Sequence, residues 1–373
     1  MTHNTPIITI LAIASALFSG CASEDDAPAA ETNIPISFGV TLDESKSRAG
    51  YTYDLASFAN NGGGFKVWAN IDDNTTQNYF SGLTYTSRDN GLTWSEKNDY
   101  VYPWPSVGKL HFYAISPAEI SKTNSQNGIE YSIGNKEIKV SSYYPGEDAS
   151  THQDIMLAYT SKNFKKDDDN TVELKFQHML ANLQLWLVKT HERIHMQVLA
   201  VGLFNFKTGA NLRLNSGNKG ATREALPTLD PMNDDDAAIL DSYWVWGTGQ
   251  KNNQYFLTKE KTPVYIQTGP NTPYGNFHHF PTDERQSFLV QPQTLTGWKR
   301  TADDKTGAWI GILANITLSG DPLDRGDAVG VYPLGGNPNG HTGSLSISEH
   351  RELKYAWIAV PFPDMTLHAG RSY

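Results

Sequence analysis

Short runs of apolar or alternating residues recur along the chain and predict β-strands. In Ile34–Leu42 every second residue is Ile, Phe, Val or Leu, which is the period of a half-buried strand. Similar runs are Phe65–Ala69, Lys109–Ile115, Glu137–Val140, Asp154–Tyr159, Val172–Phe176, Leu183–Val188, Met196–Phe204, Ser242–Gly247, Pro263–Gln267, Ser287–Val290, Ala308–Leu318, Leu345–Ser348 and Lys354–Pro361. Clusters of Gly, Asn and Asp separate the runs, and no stretch shows convincing helical periodicity over three turns. The pattern therefore predicts an all-β fold of sandwiches or barrels.

The length of 373 residues suits two domains, and a polar break at Lys189–Ile194 separates two apolar runs. We therefore predict one β-sandwich domain over residues 34–190 and a second over residues 191–373. The 40 acidic residues exceed the 30 Lys and Arg residues, which gives a net charge of −10. Because binding to nucleic-acid phosphates needs a basic surface, this charge argues against nucleic acid as a partner.

Residues 1–20 have the pattern of a bacterial lipoprotein signal peptide. Ile7–Phe18 is a continuous apolar stretch, too short to span a bilayer and typical of a signal sequence. Small residues precede Cys21, the single cysteine of the chain, as in a lipobox. In such a motif the cysteine thiol receives a diacylglyceryl group and the new amino terminus is acylated, for example with palmitate. The pattern predicts a lipid anchor on Cys21 in the outer membrane, and a free cysteine beside an ordinary cleavage site is the alternative.

Residues 21–33 are predicted to form a disordered tether, because they are polar and rich in Ala and Pro. Glu24, Asp25 and Asp26 follow the cysteine closely. This acidic run resembles the surface-export signal of some Gram-negative lipoproteins, although a tether that is simply solvated and acidic would have the same composition. The sequence favours a surface-exposed lipoprotein.

One motif matches a catalytic pattern. Residues His191-Glu192-Arg193-Ile194-His195 fit H-E-x-x-H, in which two histidines one helical turn apart bind zinc and the glutamate acts as general base. The flanking runs favour strands, where residues i and i+4 lie about 13 Å apart, too far to share one zinc ion. The residues downstream also lack the glycine and third histidine of the extended motif. We interpret His191, Glu192 and His195 as a chance match in an inter-strand turn, and we predict neither a metal site nor enzymatic activity.

Other chemistry-bearing residues give weaker signals. His278 and His279 fall in a predicted loop without spaced partners for a metal. The aspartate runs 167–169 and 234–236 lack the spacing of a calcium-binding loop and are predicted to be loop charges. His178 lies among apolar residues and is predicted to be a hydrogen-bonded structural histidine. The sequence contains no nucleotide-binding or nucleophile-elbow motif, so it predicts no cofactor.

A set of short segments carries a further signal through its order and spacing. The segments are Ile36–Val40 followed by Ser47–Gly50, Tyr102–Pro105 leading to Leu110–Pro117, Gln153–Ala158 before Leu174–Leu183, Phe288–Trp298, and Val360–Pro361 with Leu367–Tyr373. Together with the lipobox, these segments resemble the fimbrillin family, the lipoprotein subunits and accessory proteins of type V pili. The resemblance implies two tandem transthyretin-like β-sandwich domains without enzymatic activity, with the H-E-x-x-H stretch near their junction.

The resemblance also implies partners. These are other pilus subunits bound by β-strand addition and, for an adhesive member, a host or bacterial surface ligand. Family members usually continue past the Gly-x-Ser-Tyr motif with a closing strand, whereas this sequence stops at Tyr373. We therefore expect either a truncated chain or a last sheet with an open edge. A missing last strand favours a tip or anchor role over a bulk shaft subunit.

In the fimbrillin family an arginine-directed protease cuts the loop after the first strand, and a strand from the next subunit fills the groove that is left. Here the polar loop Asp43–Arg48 follows the first predicted strand, so the resemblance places the cleavage site at Arg48-Ala49. An exposed polar loop is the kind of site that proteases prefer, and Lys46 is a competing basic residue. The alternative is that Arg48 is an ordinary loop arginine and the first strand stays in place.

The leading functional prediction is a structural or accessory subunit of a surface pilus, or fimbrium. A surface glycan-binding lipoprotein of a nutrient-uptake system is the alternative, and a zinc hydrolase is the third reading. A polymer ladder on unboiled gels would favour the first, and retardation in a glycan affinity gel would favour the second. Bound zinc, with activity lost on changing Glu192, would favour the third.

Overall fold

The computed structural model describes residues 31–42, 54–60, 63–72, 77–122, 124–125, 127–133, 135–165, 169–188, 194–215, 230–246, 254–266, 278–282, 287–301, 303–304, 306–318 and 356–373. Over these residues the fold is mostly β, as the alternating pattern predicts. In this part of the chain, no helix has both the length and the hydropathy needed to cross a membrane. The predicted strand Leu345–Ser348 lies outside the described residues.

The secondary-structure elements are numbered in chain order. Up to residue 188 they are β1 (Glu31–Pro35), β2 (Ser37–Leu42), α1 (Leu55–Asn60), β3 (Phe65–Ile71), β4 (Phe80–Thr86), β5 (Ser95–Glu96), β6 (Pro103–Pro105), β7 (Lys109–Ser116), β8 (Ile129–Ser132), β9 (Glu137–Tyr143), the 3-10 turn η1 (Ala149–Thr151), β10 (Met156–Asn163), β11 (Thr171–His178), β12 (Ala181–Leu183) and β13 (Leu185–Leu187). They continue with β14 (Ile194–Phe206), β15 (Ala210–Asn215), α2 (Asp234–Asp241), β16 (Trp244–Val245), β17 (Gln254–Ile266), β18 (His278–Phe280), β19 (Phe288–Val290), β20 (Gln293–Leu295), β21 (Trp309–Leu318), β22 (Ala356–Pro361) and β23 (Met365–Leu367).

Seven strands form a curled sheet, shaped as a half-barrel, around the first core. Their spatial order is β2-β11-β10-β7-β3-β4-β5, and β2 at one edge runs parallel to β11 whereas the other neighbours are antiparallel. One face of the sheet buries aromatic and aliphatic side chains, among them Phe38, Phe65, Phe112, Leu174 and Phe176. Helix α1 packs against this face and closes part of it.

A second sheet, with the order β16-β15-β9-β8, packs against the opposite face of the curled sheet. Because successive residues of a strand point to opposite faces, Val67 belongs to the first core while its neighbour Trp68 joins the second. Val140 of β9, Leu212 of β15 and Trp244 of β16 meet Trp68 in this second core. The curled sheet is therefore covered on both faces.

The later strands form another layered arrangement. The four-stranded sheet β17-β14-β21-β22 packs against the strand pairs β12-β19, β13-β18 and β20-β23. Strand β14 is 13 residues long and pairs with both β17 and β21 over most of its length. Phe206 and Phe256 on the sheet pack with Leu183, Phe288 and other apolar residues of the facing pairs.

Strand pairing crosses residue 190 in both directions. Strands β12 and β13 precede residue 190 and pair with β19 and β18 from the later part of the chain. Strand β15 follows residue 190 and pairs with β9 from the earlier part. The division into residues 34–190 and 191–373 stays a prediction, and these pairings connect the two sides of it.

Two loop predictions are wrong. Asp234, Asp235 and Asp236 form the first turn of α2, because the Asn233 side chain accepts hydrogen bonds from the backbone N–H groups of Asp235 and Asp236 and so caps the helix. Acidic residues are also favourable at a helix N-terminus because of the helix dipole. The predicted loop around His278 and His279 is strand β18, which pairs with β13. Both helices are too short to produce a clear helical period in the sequence.

Candidate functional site: the first strands and the groove they fill

The alternating pattern of the first predicted strand matches its burial. In β2 the side chains of Phe38 and Val40 are buried and Ser37 and Thr41 are exposed, while Ile36 just before the strand is also buried. Ile34, predicted to share the buried face, is 38% exposed. The strand pairs in parallel with β11, from Ser37 opposite Thr171 to Leu42 opposite Phe176. Its outer side carries no further strand in the described residues, so β2 forms the edge of the curled sheet.

The ring of Phe38 lies in the core on the concave face of the curled sheet. Its ring contacts three aromatic rings edge-on, with centroid distances of 4.7 Å to Tyr85, 5.6 Å to Phe112 and 5.9 Å to Phe65. These rings belong to β4, β7 and β3, so one side chain of the edge strand reaches across the concave face to strands that are not its sheet neighbours. We call the surface formed by Phe65, Tyr85, Phe112 and Phe176 the acceptor groove. Burial raises the pKa of the Tyr85 hydroxyl.

Strand β1, which precedes β2, has a different attachment. It pairs with β6, with Glu31 opposite Pro105 and Pro35 opposite Pro103. Proline has no N–H group, so three of these four paired residues cannot donate a ladder hydrogen bond. The Ile36 N–H bond to the Tyr102 carbonyl, at 2.8 Å, continues the contact toward β2. The segment β1–β2 is thus attached at two places. Strand β1 makes few hydrogen bonds with β6, and the apolar side chains of β2 pack in the acceptor groove.

Helix α1 covers the part of the acceptor groove formed by Phe65 and Phe176. The Asp54 carboxylate accepts a hydrogen bond from the Ser57 N–H at 2.8 Å, which caps the helix, and hydrogen bonds from Ser57 hold the pKa of Asp54 below its usual value. Fully buried Phe58 then packs on Phe176 and Phe65, with ring centroids at 4.8 and 6.5 Å. The predicted lipidation site Cys21 and the predicted cleavage site Arg48-Ala49 lie outside the described residues.

The last histidine of the H-E-x-x-H motif lies on a strand and not on a helix. His195 lies in β14, exposed to solvent, with Thr317 of β21 opposite it. His191 and Glu192 lie outside the described residues. Among the residues that the structure describes, no group of three His, Cys, Asp or Glu side chains is arranged to hold a metal ion.

His178 has the structural role predicted from its apolar surroundings. Its Nδ1 atom lies 2.6 Å from Oδ2 of Asp154, and both side chains are largely buried. The pair joins the end of β11 to the residues just before β10. This confirms the predicted hydrogen-bonded histidine, and its partner lies 24 positions away in the sequence.

The C-terminal segment Leu367–Tyr373, which sequence reasoning singled out only as a motif, ties three parts of the fold together. Its backbone bonds to β12 and the residue after it: Asn182 N–H donates to the Arg371 carbonyl at 2.8 Å and Gln184 N–H donates to the Tyr373 carbonyl at 3.0 Å. Gly370 adopts a positive φ of 72°, and a Cβ atom there would lie 3.1 Å from Pro231. Glycine is therefore strongly favoured at this position of the motif, because any other side chain would be strained there.

Two acidic residues of α2 hold the same segment, and sequence reasoning missed both. His368 Nδ1 lies 2.7 Å from Asp241 Oδ2, and Ala369 N–H donates to Asp241 Oδ1 at 2.8 Å. Arg371 donates to Asp234 Oδ1 at 2.7 Å and, through Nε, to a backbone carbonyl of the same region. Burial raises the pKa of Asp241, although its hydrogen bonds to His368 and Ala369 oppose this effect. The aspartate run 234–236 was a sequence signal for Asp234, whereas no local pattern marked Asp241.

Comparison with known proteins agrees with the pattern of these segments. A family model described as fimbrillin-like matches residues 48–258, while no curated protein matches the chain. Among solved structures, the chain is similar to a proposed cell adhesion protein from Bacteroides ovatus, with 11% identity and a TM-score of 0.44 over 92% of this chain and 90% of that one. It is also similar to a proposed cell adhesion protein from Bacteroides eggerthii, with 12% identity and a TM-score of 0.40 over 93% and 86% of the two chains. A fimbrial assembly protein from Parabacteroides distasonis has 12% identity and a TM-score of 0.29 over 76% and 99%.

The structural similarities are distant, so the assignment depends on the family model. That model covers more than half of the chain and includes the four strands whose side chains form the acceptor groove, whereas β2, which fills the groove, precedes the matched residues. Its members are non-catalytic fimbrial and adhesion proteins of the cell surface. The predicted resemblance is confirmed, and the chain belongs to the fimbrillin-like family.

Proposed function

We propose that the chain is a lipid-anchored structural or accessory (tip or anchor) subunit of a surface fimbrium, and that it joins other subunits by strand exchange. One observation carries the proposal. Strand β2 is a parallel edge strand that places Phe38 in the middle of the acceptor groove, and the predicted cleavage site lies only a few residues beyond this strand. An edge strand can leave without breaking the rest of a sheet.

Cleavage after Arg48 would separate β1 and β2 covalently from the rest of the chain. Among the described residues, the contacts that would still retain the two strands include the six residue pairs with β11, the short contact with β6 and the buried side chains of Ile36, Phe38 and Val40. Once they leave, the backbone edge of β11 and the acceptor groove are open. An extended segment from another subunit fits this site, because main-chain hydrogen bonds supply affinity and alternate side chains supply register.

The same proposal includes the finer features implied by the sequence. These are two tandem transthyretin-like β-sandwich domains over residues 34–190 and 191–373, and attachment to the outer membrane through lipid on Cys21. Two cores support the first feature, because the buried residues of one all lie between Ile36 and Phe176 and those of the other all lie between Leu199 and Trp357. For the second, Cys21→Ala is expected to leave the chain unprocessed or release it from the membrane fraction. A variant that still enters the detergent phase as a mature protein would contradict the anchor.

The deciding experiment is digestion of the folded protein with an arginine-specific protease, followed by N-terminal sequencing and a polymerisation assay. We expect a new terminus at Ala49 and a ladder of polymers on unboiled gels. Arg48→Ala should abolish both, whereas the matched variant Lys46→Ala should abolish neither. Assembly that is unchanged in Arg48→Ala would overturn strand exchange at this site.

A further inference from the structure

The segment Tyr143–His152, between β9 and β10, docks on strands from the later part of the chain; we call it the docking segment. Leu257 N–H donates to the Glu147 carbonyl at 2.7 Å, next to an isolated bridge between Leu257 and Asp148. The fully buried side chain of Gln291 donates through Nε2 to the Tyr143 carbonyl at 2.9 Å. These bonds join backbone of the docking segment to β17 and to the residue after β19.

His152 completes the contact. Its Nε2 atom lies 3.1 Å from the Gly146 carbonyl, which only a protonated Nε2 can bond. Its Nδ1 atom lies 3.0 Å from the backbone nitrogen of Leu289 in β19, whose N–H can only donate. The two bonds together require the neutral ring with its proton on Nε2. The ring also stands edge-on to Phe256, at a centroid distance of 5.3 Å.

Protonation would reverse the role of Nδ1. The ring would then present an N–H group to the Leu289 N–H, so that two donors face each other at 3.0 Å. The packed strands contribute Phe256, Phe288 and Leu289 to the surroundings of the ring, and none of these residues titrates. Among the described residues, the charged group that favours protonation is Asp148 on the ring's own segment.

We propose that His152 is a proton-sensitive clamp between the docking segment and β19, closed when the ring is neutral and loosened by acid. Burial, more than any other influence, holds the pKa of His152 down at about 4, below the value near 6.5 of a histidine in water. The closed clamp therefore binds fewer protons than the open one between these two values. By linkage, the clamp is fully favoured above pH 6.5 and its stability falls as the pH decreases toward 4.

The test is amide hydrogen exchange at Leu289, corrected for the intrinsic effect of pH. Because part of the His152 residue reaches solvent, exchange in the unaltered chain should accelerate by at least about tenfold from pH 7 to pH 4.5. In His152→Asn, whose side-chain oxygen can still accept from the Leu289 N–H but cannot be protonated, acceleration should be less than about twofold. The variant His195→Asn, which changes an exposed histidine on β14, should behave like the unaltered chain.

No acceleration in the unaltered chain would overturn the proposal, and so would equal acceleration in His152→Asn. If that variant does not fold, titration of the His152 ring by NMR in the unaltered chain decides the question. A ring that stays neutral to below pH 5 supports the clamp, and a ring that titrates near pH 6.5 overturns it.

Discussion

Replacing Phe38 by alanine tests whether strand β2 is held in the curled sheet mainly by this one side chain. Phe38 is 6% exposed and packs edge-on against three aromatic rings. Truncating a buried phenylalanine to alanine removes about 3–5 kcal/mol of stability, part of it from the cavity that remains. We expect about 3 kcal/mol here, because an edge strand can shift to fill some of the space.

The measurement is equilibrium unfolding in guanidinium chloride, followed by tryptophan fluorescence. Thr41→Ala is the matched control, because Thr41 lies on the exposed side of the same strand and should change the free energy of unfolding by less than about 0.5 kcal/mol. Amides of β11 that pair with β2 should also exchange faster in Phe38→Ala. In the cleaved chain, a loss of about 3 kcal/mol should weaken retention of the first strands by roughly a hundredfold.

A loss below about 1 kcal/mol in Phe38→Ala, or a loss equal to that in Thr41→Ala, would refute the reasoning. The first of these results would mean that the ring contacts of Phe38 do not hold the strand in solution. The acceptor groove would then need another explanation for its aromatic composition, and the proposed strand exchange would lose the observation that carries it.

Three further predictions concern the C-terminal segment and the buried tyrosines. Gly370→Ala should lower stability by about 1–3 kcal/mol, because the residue has a positive φ and its Cβ would crowd Pro231; Gly128→Ala, also at positive φ but in open space, should lower it less in the same thermal-unfolding assay. Asp241→Asn should destabilise by about 1–3 kcal/mol in denaturant titration, since it replaces the charged partner of His368, and a change below about 0.5 kcal/mol would contradict this. Burial raises the pKa of three tyrosine hydroxyls, so the folded state keeps protons that the unfolded state releases above pH 10, and stability should fall as the pH rises past 10. These tyrosines are Tyr85, Tyr131 and Tyr143. Ionisation of these three hydroxyls near pH 10 while the chain is still folded, measured residue by residue by NMR titration of the tyrosine rings, would contradict that coupling.

The sequence predicts those features that depend on local alternation. Phe38 and Val40 stand at alternate positions because one face of β2 is buried and the other is exposed to solvent. This difference is visible in the sequence as an alternation of apolar and other residues. Helix α2 was not predicted because its eight residues give little helical periodicity. Its three N-terminal aspartates resemble loop charges in the sequence, and only the structure shows that Asn233 caps a helix there.

The partners of the C-terminal motif could not be predicted from local pattern. His368 and Asp241 are 127 positions apart, and Arg371 and Asp234 are 137 positions apart. The residues next to His368 and Arg371 in the sequence do not indicate which aspartate each side chain contacts. These contacts form only when β12 and α2 are both in place. The strand pairings that cross residue 190 escaped prediction for the same reason.

Those crossed pairings set the order in which the chain can finish folding. The outer face of the curled sheet is covered by β9 together with β15 and β16, whose residues Leu212 and Trp244 are synthesised well after residue 190. A nascent or exported chain that ends near residue 190 would leave Trp68 and Val140 without their covering strands. Conversely, β12 and β13 can form their strand pairs only after β19 and β18 have been synthesised. The two parts of the molecule are therefore expected to complete their folding together, after most of the chain has been synthesised, and a fragment of residues 34–190 would present its unfinished sheet to other chains.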